Sequence, residues 1–241
     1  MPCDVDKHNG YRTYDMSSIY TLLNSRQYQN CGFTVAETSE LLQSGSVDLV
    51  RREYEEKSVE MEFHIGLQSR YLRRMREISA QLLTAEANVG QMVTVTSPDF
   101  VAVLYSFHNR EERIPPDMAQ KVSRWGKYMP LSGIMLYYSG YCQEEPALSR
   151  HSGFLMERRD AAFLGLERDE GVLSLPSRKC LYTIVEGMAQ GGPVTEDFAP
   201  VFQHLRERRI TPAAPPFTRG IVSLDRINTQ RYLTEMWIPL E

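Results

Sequence analysis

From Ser46 to about Asn88 the chain holds no proline, and one heptad position reads Val47, Tyr54, Met61, Gln68, Met75, Leu82, flanked by Ile65, Leu72 and Ile78. This pattern predicts a single helix over residues 47–89, about 60 Å long for roughly 40 residues at 1.5 Å each. A rod of that length cannot bury its apolar stripe against itself. Two arrangements remain: an amphipathic helix lying along its own domain, or a coiled coil with a second chain. Gly66 and Gln68 are imperfect seam residues, because glycine costs helix propensity and glutamine forfeits apolar contact.

Both flanks have a different character. On the N-terminal side Asp15 is placed to cap a helix carrying Ile19, Leu22 and Leu23 and ending near Cys31-Gly32. Thr34 with Glu37 three residues on forms a capping-box signature for a second helix, which stops at Ser44-Gly45-Ser46. Beyond Gly90 the segments Met92–Thr96, Val101–Tyr105 and Ile134–Tyr138 are rich in β-branched and aromatic residues and predict strands. Between the last two, Pro116 to Tyr128 predicts a helix with Met118, Val122 and Trp125 on one face. The series then recurs. Phe154 to Leu166 predicts two strand fragments, Gly171 to Glu186 two more, Thr195 to Arg209 an amphipathic helix, and Gly220–Leu224 and Tyr232–Ile238 closing strands. Two tandem β-α-β-β units account for this order, giving an α+β chain with an antiparallel sheet and two helices over residues 90–241. Pro212 to Pro216 predicts a stiff loop.

Composition narrows the function classes. No apolar run approaches the roughly 20 residues of a membrane span, and the opening MPCDVDKHNG lacks a secretory core, so a cytoplasmic location is expected. A net charge of −4 gives no general attraction to nucleic acid. Any such contact rests on a local patch, for which Lys7, His8, Asn9, Tyr11, Arg12 and Tyr14 are the candidates. Cys3, Cys31, Cys142 and Cys180 are too scattered for a zinc site and are expected as free thiols. Neither a metal nor an organic cofactor is expected. The chain holds no GxSxG, P-loop, HExxH or dinucleotide motif, which argues against an enzyme.

One carboxylate stands out. In a strand, residues two apart share a face, so Leu233, Glu235 and Trp237 point one way while Thr234, Met236 and Ile238 point the other, toward a helix. An acid beside an indole suits a lipophilic cation, through ring attraction and charge complementarity. The aromatic wall draws on Tyr137, Tyr138, Phe163, Tyr182, Phe217 and Trp237, of which Tyr138, Tyr182 and Trp237 are named as ligand-binding candidates with Glu235. The plainer reading of each aromatic residue is core packing.

Gly10-Tyr11-Arg12-Thr13-Tyr14 followed by Gly32-Phe33-Thr34-Val35-Ala36-Glu37 resembles the wing and second half of a MerR-family DNA-binding domain. Residues 1–46 then form part of that domain, and about nine residues precede the wing, too few for the family's helix-turn-helix. Arg178–Gly187 and Tyr232–Leu240 resemble the GyrI-like effector-binding domain found in multidrug-sensing members. The resemblance implies a homodimer joined by residues 47–89 as an antiparallel coiled coil. It further implies DNA-backbone contacts from Tyr11 and Arg12, a pocket whose anionic centre is Glu235, and a hydrophobic, cationic effector. Promoter DNA is a partner where a complete helix-turn-helix is supplied. A late start codon or trimmed chain, a natural truncation that sequesters ligand, and a subunit of a full-length regulator all fit the short N-terminus. Some stand-alone GyrI-like proteins resemble hydrolases of reactive lipophilic compounds, but such an enzyme has no need of a dimer arm.

Overall fold

The computed structural model describes residues 4–5, 8–107, 116–139, 150–188, 195–226 and 229–241. Lys7, Cys3 and Cys142 lie outside these, while Cys31 and Cys180 are free thiols. The chain divides into two compact units, Met1–Ser69 and Arg70–Glu241.

In the first unit, β1 (Asp4–Val5) and β2 (Arg12–Thr13) pair antiparallel. Helix α1 (Met16–Asn30) starts where the Ser18 amide donates to the Asp15 carboxylate at 2.6 Å. Helix α2 (Val35–Ser44) carries the expected reciprocal cap: the Glu37 amide donates to Thr34 Oγ1 at 3.2 Å, and the Thr34 amide to Glu37 Oε2 at 2.6 Å. It ends on Gly45, whose φ of +60° is a left-handed conformation that glycine adopts without a Cβ penalty. Phe33 is the centre of packing, with the rings of Tyr28 and Tyr54 at 5.8 and 5.4 Å and Lys57 Nζ 5.3 Å from its own. Ile19, Leu22 and Leu23, whose spacing announced α1, are exposed, and the buried residue of that helix is Ser18.

Helix α3 (Val47–Asn88) has the expected extent. Met61 and Ile65 in the first unit, and Leu72, Met75 and Leu82 in the second, remain exposed, while Tyr54 of the same heptad position packs on Phe33. Ile78, expected at the flank of that stripe, instead packs with Ala85 on Ile184, Ile221 and Leu233 of the sheet.

The second unit continues with β3 (Val93–Thr96), β4 (Phe100–Phe107), α4 (Pro116–Gly126), β5 (Ser132–Tyr138) and β6 (Arg150–Glu157). After α5 (Arg158–Phe163) and β7 (Leu173–Leu175) come β8 (Lys179–Met188), a 3₁₀ turn at Thr195–Phe198, α6 (Ala199–Glu207), β9 (Phe217–Arg226) and β10 (Thr229–Pro239). The second expected fragment between Phe154 and Leu166 is therefore helix, not strand. Arg158-Arg159-Asp160-Ala161-Ala162 is a run of unbranched side chains with two alanines, which favours helix once the strand ends at Glu157. Asp160 is buried there and held by Arg73 of α3 at 2.5 Å.

All pairings in the eight-stranded sheet are antiparallel, in the order β3-β8-β10-β9-β5-β6-β4-β7. The unit β4-α4-β5-β6 contributes the run β5-β6-β4, and β8-α6-β9-β10 contributes β9-β10-β8, so the two repeats present equivalent strands to their junction. They meet through the single pair Tyr137↔Phe217 of β5 and β9. The outermost strands are exchanged: β3 precedes β4 but pairs with β8, and β7 precedes β8 but pairs with β4. The lead-in segments are tied together, with the Ser97 amide donating to the Arg178 carbonyl at 2.9 Å and Ser177 Oγ to the Ser97 carbonyl at 2.6 Å. One sheet face buries Leu136, Leu181, Met236 and Ile238 against Phe202 and Leu205 of α6. The other carries Phe100, Met135, Phe217 and Trp237.

Candidate functional site

The β9–β10 hairpin sets the site. Pairing runs in register from Thr229↔Arg226 to Leu233↔Val222, then slips by one at Leu233/Thr234, so that Glu235 faces Arg219 and Trp237 faces Phe217. A bulge of one residue moves the partner strand's side chains between faces. Here it turns Arg219 toward the carboxylate. On the other side, β8 brings Tyr182 opposite Trp237.

Glu235 is 2% exposed and accepts three hydrogen bonds. Gln81 Nε2 donates to Oε1 at 2.5 Å, Tyr182 OH to Oε1 at 3.1 Å, and Arg219 Nε to Oε2 at 2.8 Å. The Arg219 guanidinium is itself buried, 5.3 Å from the Phe100 ring centre and 5.4 Å from that of Trp237. Trp237 stacks on Phe217 at 5.4 Å and has Tyr182 at 5.6 Å. Burial and, secondarily, the Glu235 carboxylate push the Tyr182 phenol well above the usual tyrosine range, so it stays a donor.

Glu235, Tyr182, Arg219 and Trp237 line a cavity of about 980 Å³ together with Arg74, Glu77 and Gln81 of α3 and residues of the β3–β4 and α5 segments. Arg74 is 3% exposed; among the described residues it forms an ion pair with Glu77 at 3.4 Å, and its Nε has no hydrogen-bond partner there. Burial lowers the proton affinity of this guanidinium, and the nearby charge of Arg219 lowers it further, against the opposing effect of Glu235 and Glu77. Gln81 Oε1 is also without a partner. A second cavity of about 320 Å³, lined by Ile78, Ile134, Ile221 and Leu233, occupies the region where β5 and β9 diverge, and Arg74 borders both.

Of the sequence candidates, Glu235, Tyr182 and Trp237 converge. Tyr138 does not. It is fully buried under α6, with Phe202 at 5.1 Å and Phe198 at 6.0 Å, because β5 alternates and it is Tyr137 that shares the face of Met135 and Trp237. Tyr11 and Arg12 lie exposed at the β1–β2 hairpin of the other unit. A carboxylate open to a ligand cation is also not what the site holds: the aromatic-walled cation position beside Glu235 is filled by Arg219. Arg219, Gln81 and Arg74 were not singled out from sequence. A signal existed for the last two, since Arg74, Ile78, Gln81 and Ala85 are spaced 4, 3 and 4 apart as one helix face. With both Glu235 oxygens engaged by three donors, the carboxylate is arranged to hold structure and charge together rather than to abstract a proton.

No family model matches the chain, and no curated protein does. Among solved structures, similarity extends to EcmrR in its DNA complex within EcmrR-RPo, solved by cryo-electron microscopy, at 15% identity over 100% of this chain and 89% of that one, with a TM-score of 0.41. A hydrolase encoded by lin2189 of Listeria innocua aligns at 7% identity over 62% of this chain and 92% of its own, with a TM-score of 0.37. A candidate transcription regulation protein from Staphylococcus aureus MU50 aligns at 16% identity over 63% and 97%, with a TM-score of 0.32. No helix among the described residues is long and apolar enough to cross a membrane.

Proposed function

We propose that this chain is a cytoplasmic, homodimeric, ligand-responsive transcriptional regulator of the MerR type, in which a hydrophobic small molecule occupies the cavity at Glu235. Residues 1–46 then form part of a DNA-binding domain, 47–89 the dimer arm and 90–241 a GyrI-like effector domain. The observation that carries this reading is the bond from Gln81 of α3 to Glu235. Anything entering the cavity meets a contact that fastens the long helix to the sheet, and a ligand shifts a conformational equilibrium only through contacts that differ between the states. A cationic effector would have to displace Arg219 to reach the carboxylate. Tyr11 and Arg12 would add backbone contacts to promoter DNA, with base reading left to a complete helix-turn-helix.

The neutral dye N-phenyl-1-naphthylamine tests the cavity. Saturable fluorescence enhancement at one dye per chain is expected. Ala162→Trp, at an exposed position of the cavity wall, should weaken binding by about tenfold or more by filling the space. Undiminished binding in a folded A162W protein would remove the cavity assignment.

The arm gives a second prediction. Light scattering should return twice the chain mass of 27.7 kDa. The double substitution Leu72→Glu, Met75→Glu places like charges in the exposed part of the stripe and should yield monomers with unchanged helix content. A monomeric parent protein would contradict the arm.

A further inference from the structure

We infer that the cavity takes an organic anion, a carboxylate or sulfonate on a hydrophobic body, whose charged group is received by Arg74 and Arg219. This rests on the ligand-pocket reading above and gives it a charge class opposite to that implied by the family resemblance.

Four observations converge. First, the cation that Glu235 calls for is already present: Arg219 lies against both Phe100 and Trp237 with its Nε 2.8 Å from the carboxylate. A ligand cation there would have to expel a buried, hydrogen-bonded guanidinium and leave it uncompensated. Second, the inner wall of the cavity holds two buried guanidiniums, Arg74 and Arg219, with the buried Glu235 and the part-exposed Glu77 as their carboxylates. Arg74 is almost wholly buried with its Nε unpartnered, and its nearest carboxylate, Glu77, also lies within 4 Å of Arg73 and Arg159. A buried polar group without a partner is unusual and its satisfaction is worth more than that of an exposed one. Third, two acidic groups of the outer wall are engaged, since Asp99 Oδ2 holds Arg158 at 2.9 Å and Glu157 holds Arg159 at 2.6 Å, while Glu167 also lies along this wall. One of their oxygens, Asp99 Oδ1, is buried and unpartnered, as is Gln81 Oε1. Both suit a hydroxyl or amine elsewhere on the ligand. Fourth, Arg74 borders the apolar cavity between β5 and β9 as well as the main one. A single side chain thus stands where a charged head and a hydrophobic body would join.

A matched dye pair separates charge from shape. 8-Anilinonaphthalene-1-sulfonate differs from N-phenyl-1-naphthylamine only by its sulfonate, and rhodamine 6G supplies a lipophilic cation. With the full-length protein, the sulfonate should bind at one per chain and about tenfold or more tighter than the neutral dye, the effect of a charge-assisted hydrogen bond in a buried site. Arg74→Met should remove most of the sulfonate's advantage over the neutral dye, the remainder being due to Arg219. Ala162→Trp should weaken both, which identifies the site. Arg74→Lys, which keeps the charge but not the planar donors, should retain part of the preference. Equal affinities in the parent protein, tighter rhodamine binding, or a sulfonate preference undiminished by Arg74→Met would overturn the anion assignment and leave the pocket standing. Failure of all three dyes to bind would overturn the pocket as well.

Discussion

Glu235→Gln is expected to destabilise residues 70–241 by about 3–5 kcal/mol, the range for breaking a buried ion pair from one side. Three donors converge on the two oxygens of this residue. A glutamine amide must turn its NH₂ toward one of them, setting donor against donor, while Arg219 and Arg74 lose the carboxylate between them. For a domain of this size the loss corresponds to a fall in Tm of about 6–20 °C. Arg219→Met should cost a similar amount, since it strands the carboxylate. The double variant Glu235→Gln, Arg219→Met should be less destabilised than the sum of the two, because neither charge is left alone. Urea unfolding followed by circular dichroism measures all three. Additive effects would mean that the pair is not coupled and that Glu235 is held by Tyr182 and Gln81 alone.

The second large effect falls at Gly153. This residue sits in β6, paired on one side with Leu104 and on the other with Met135. A methyl group there would run into the Val103 carbonyl oxygen and lie 3.0 Å from Leu104 Cδ2. The obstacle is backbone in the middle of the sheet, at the point where the β4–β6 register slips between Leu104 and Ser106. Gly153→Ala should therefore cost about 2–3 kcal/mol through overpacking. Gly165 offers the contrast. It has φ of +68° and nothing within 4 Å of a Cβ, so Gly165→Ala should cost only about 1 kcal/mol for the left-handed backbone. The midpoint shifts in urea should rank in that order, and the reverse ranking would place the close approach elsewhere.

The parts of this molecule that local chemistry dictates were legible in the sequence. The Thr34–Glu37 cap is a four-residue pattern with one geometric meaning, and the 47–88 helix follows from a long proline-free heptad. Alternation along β10 put Glu235 and Trp237 on one face and Met236 and Ile238 on the other. What local pattern could not supply was register. Had the β9–β10 pairing continued without its slip, Glu235 would face Gly220, and no sequence signal marks the bulge that brings Arg219 there instead. In β5 the adjacent tyrosines offered no basis for choosing which shared the face of Trp237; Tyr137 does and Tyr138 packs under α6. The helix face Arg74–Ile78–Gln81–Ala85 was overshadowed by the more apolar stripe one residue along, which stays exposed. The site therefore owes one of its three buried charges, Arg219, to strand register.

The exchange of β3 and β7 between the repeats has a consequence for the order in which this sheet can be made. As the chain leaves the ribosome, the first repeat is complete in sequence at Glu157, yet β4 waits for its outer neighbour until Leu175 has emerged. Strand β3, made earlier still, has no neighbour until β8 is synthesised some eighty residues later. Neither half can be finished before the other is begun. The sheet must therefore close late and as one event. Severed at the β6–α5 boundary, the chain would yield two fragments that each display an unfilled strand position shaped for the other, and mixing them should restore the fold that neither reaches alone.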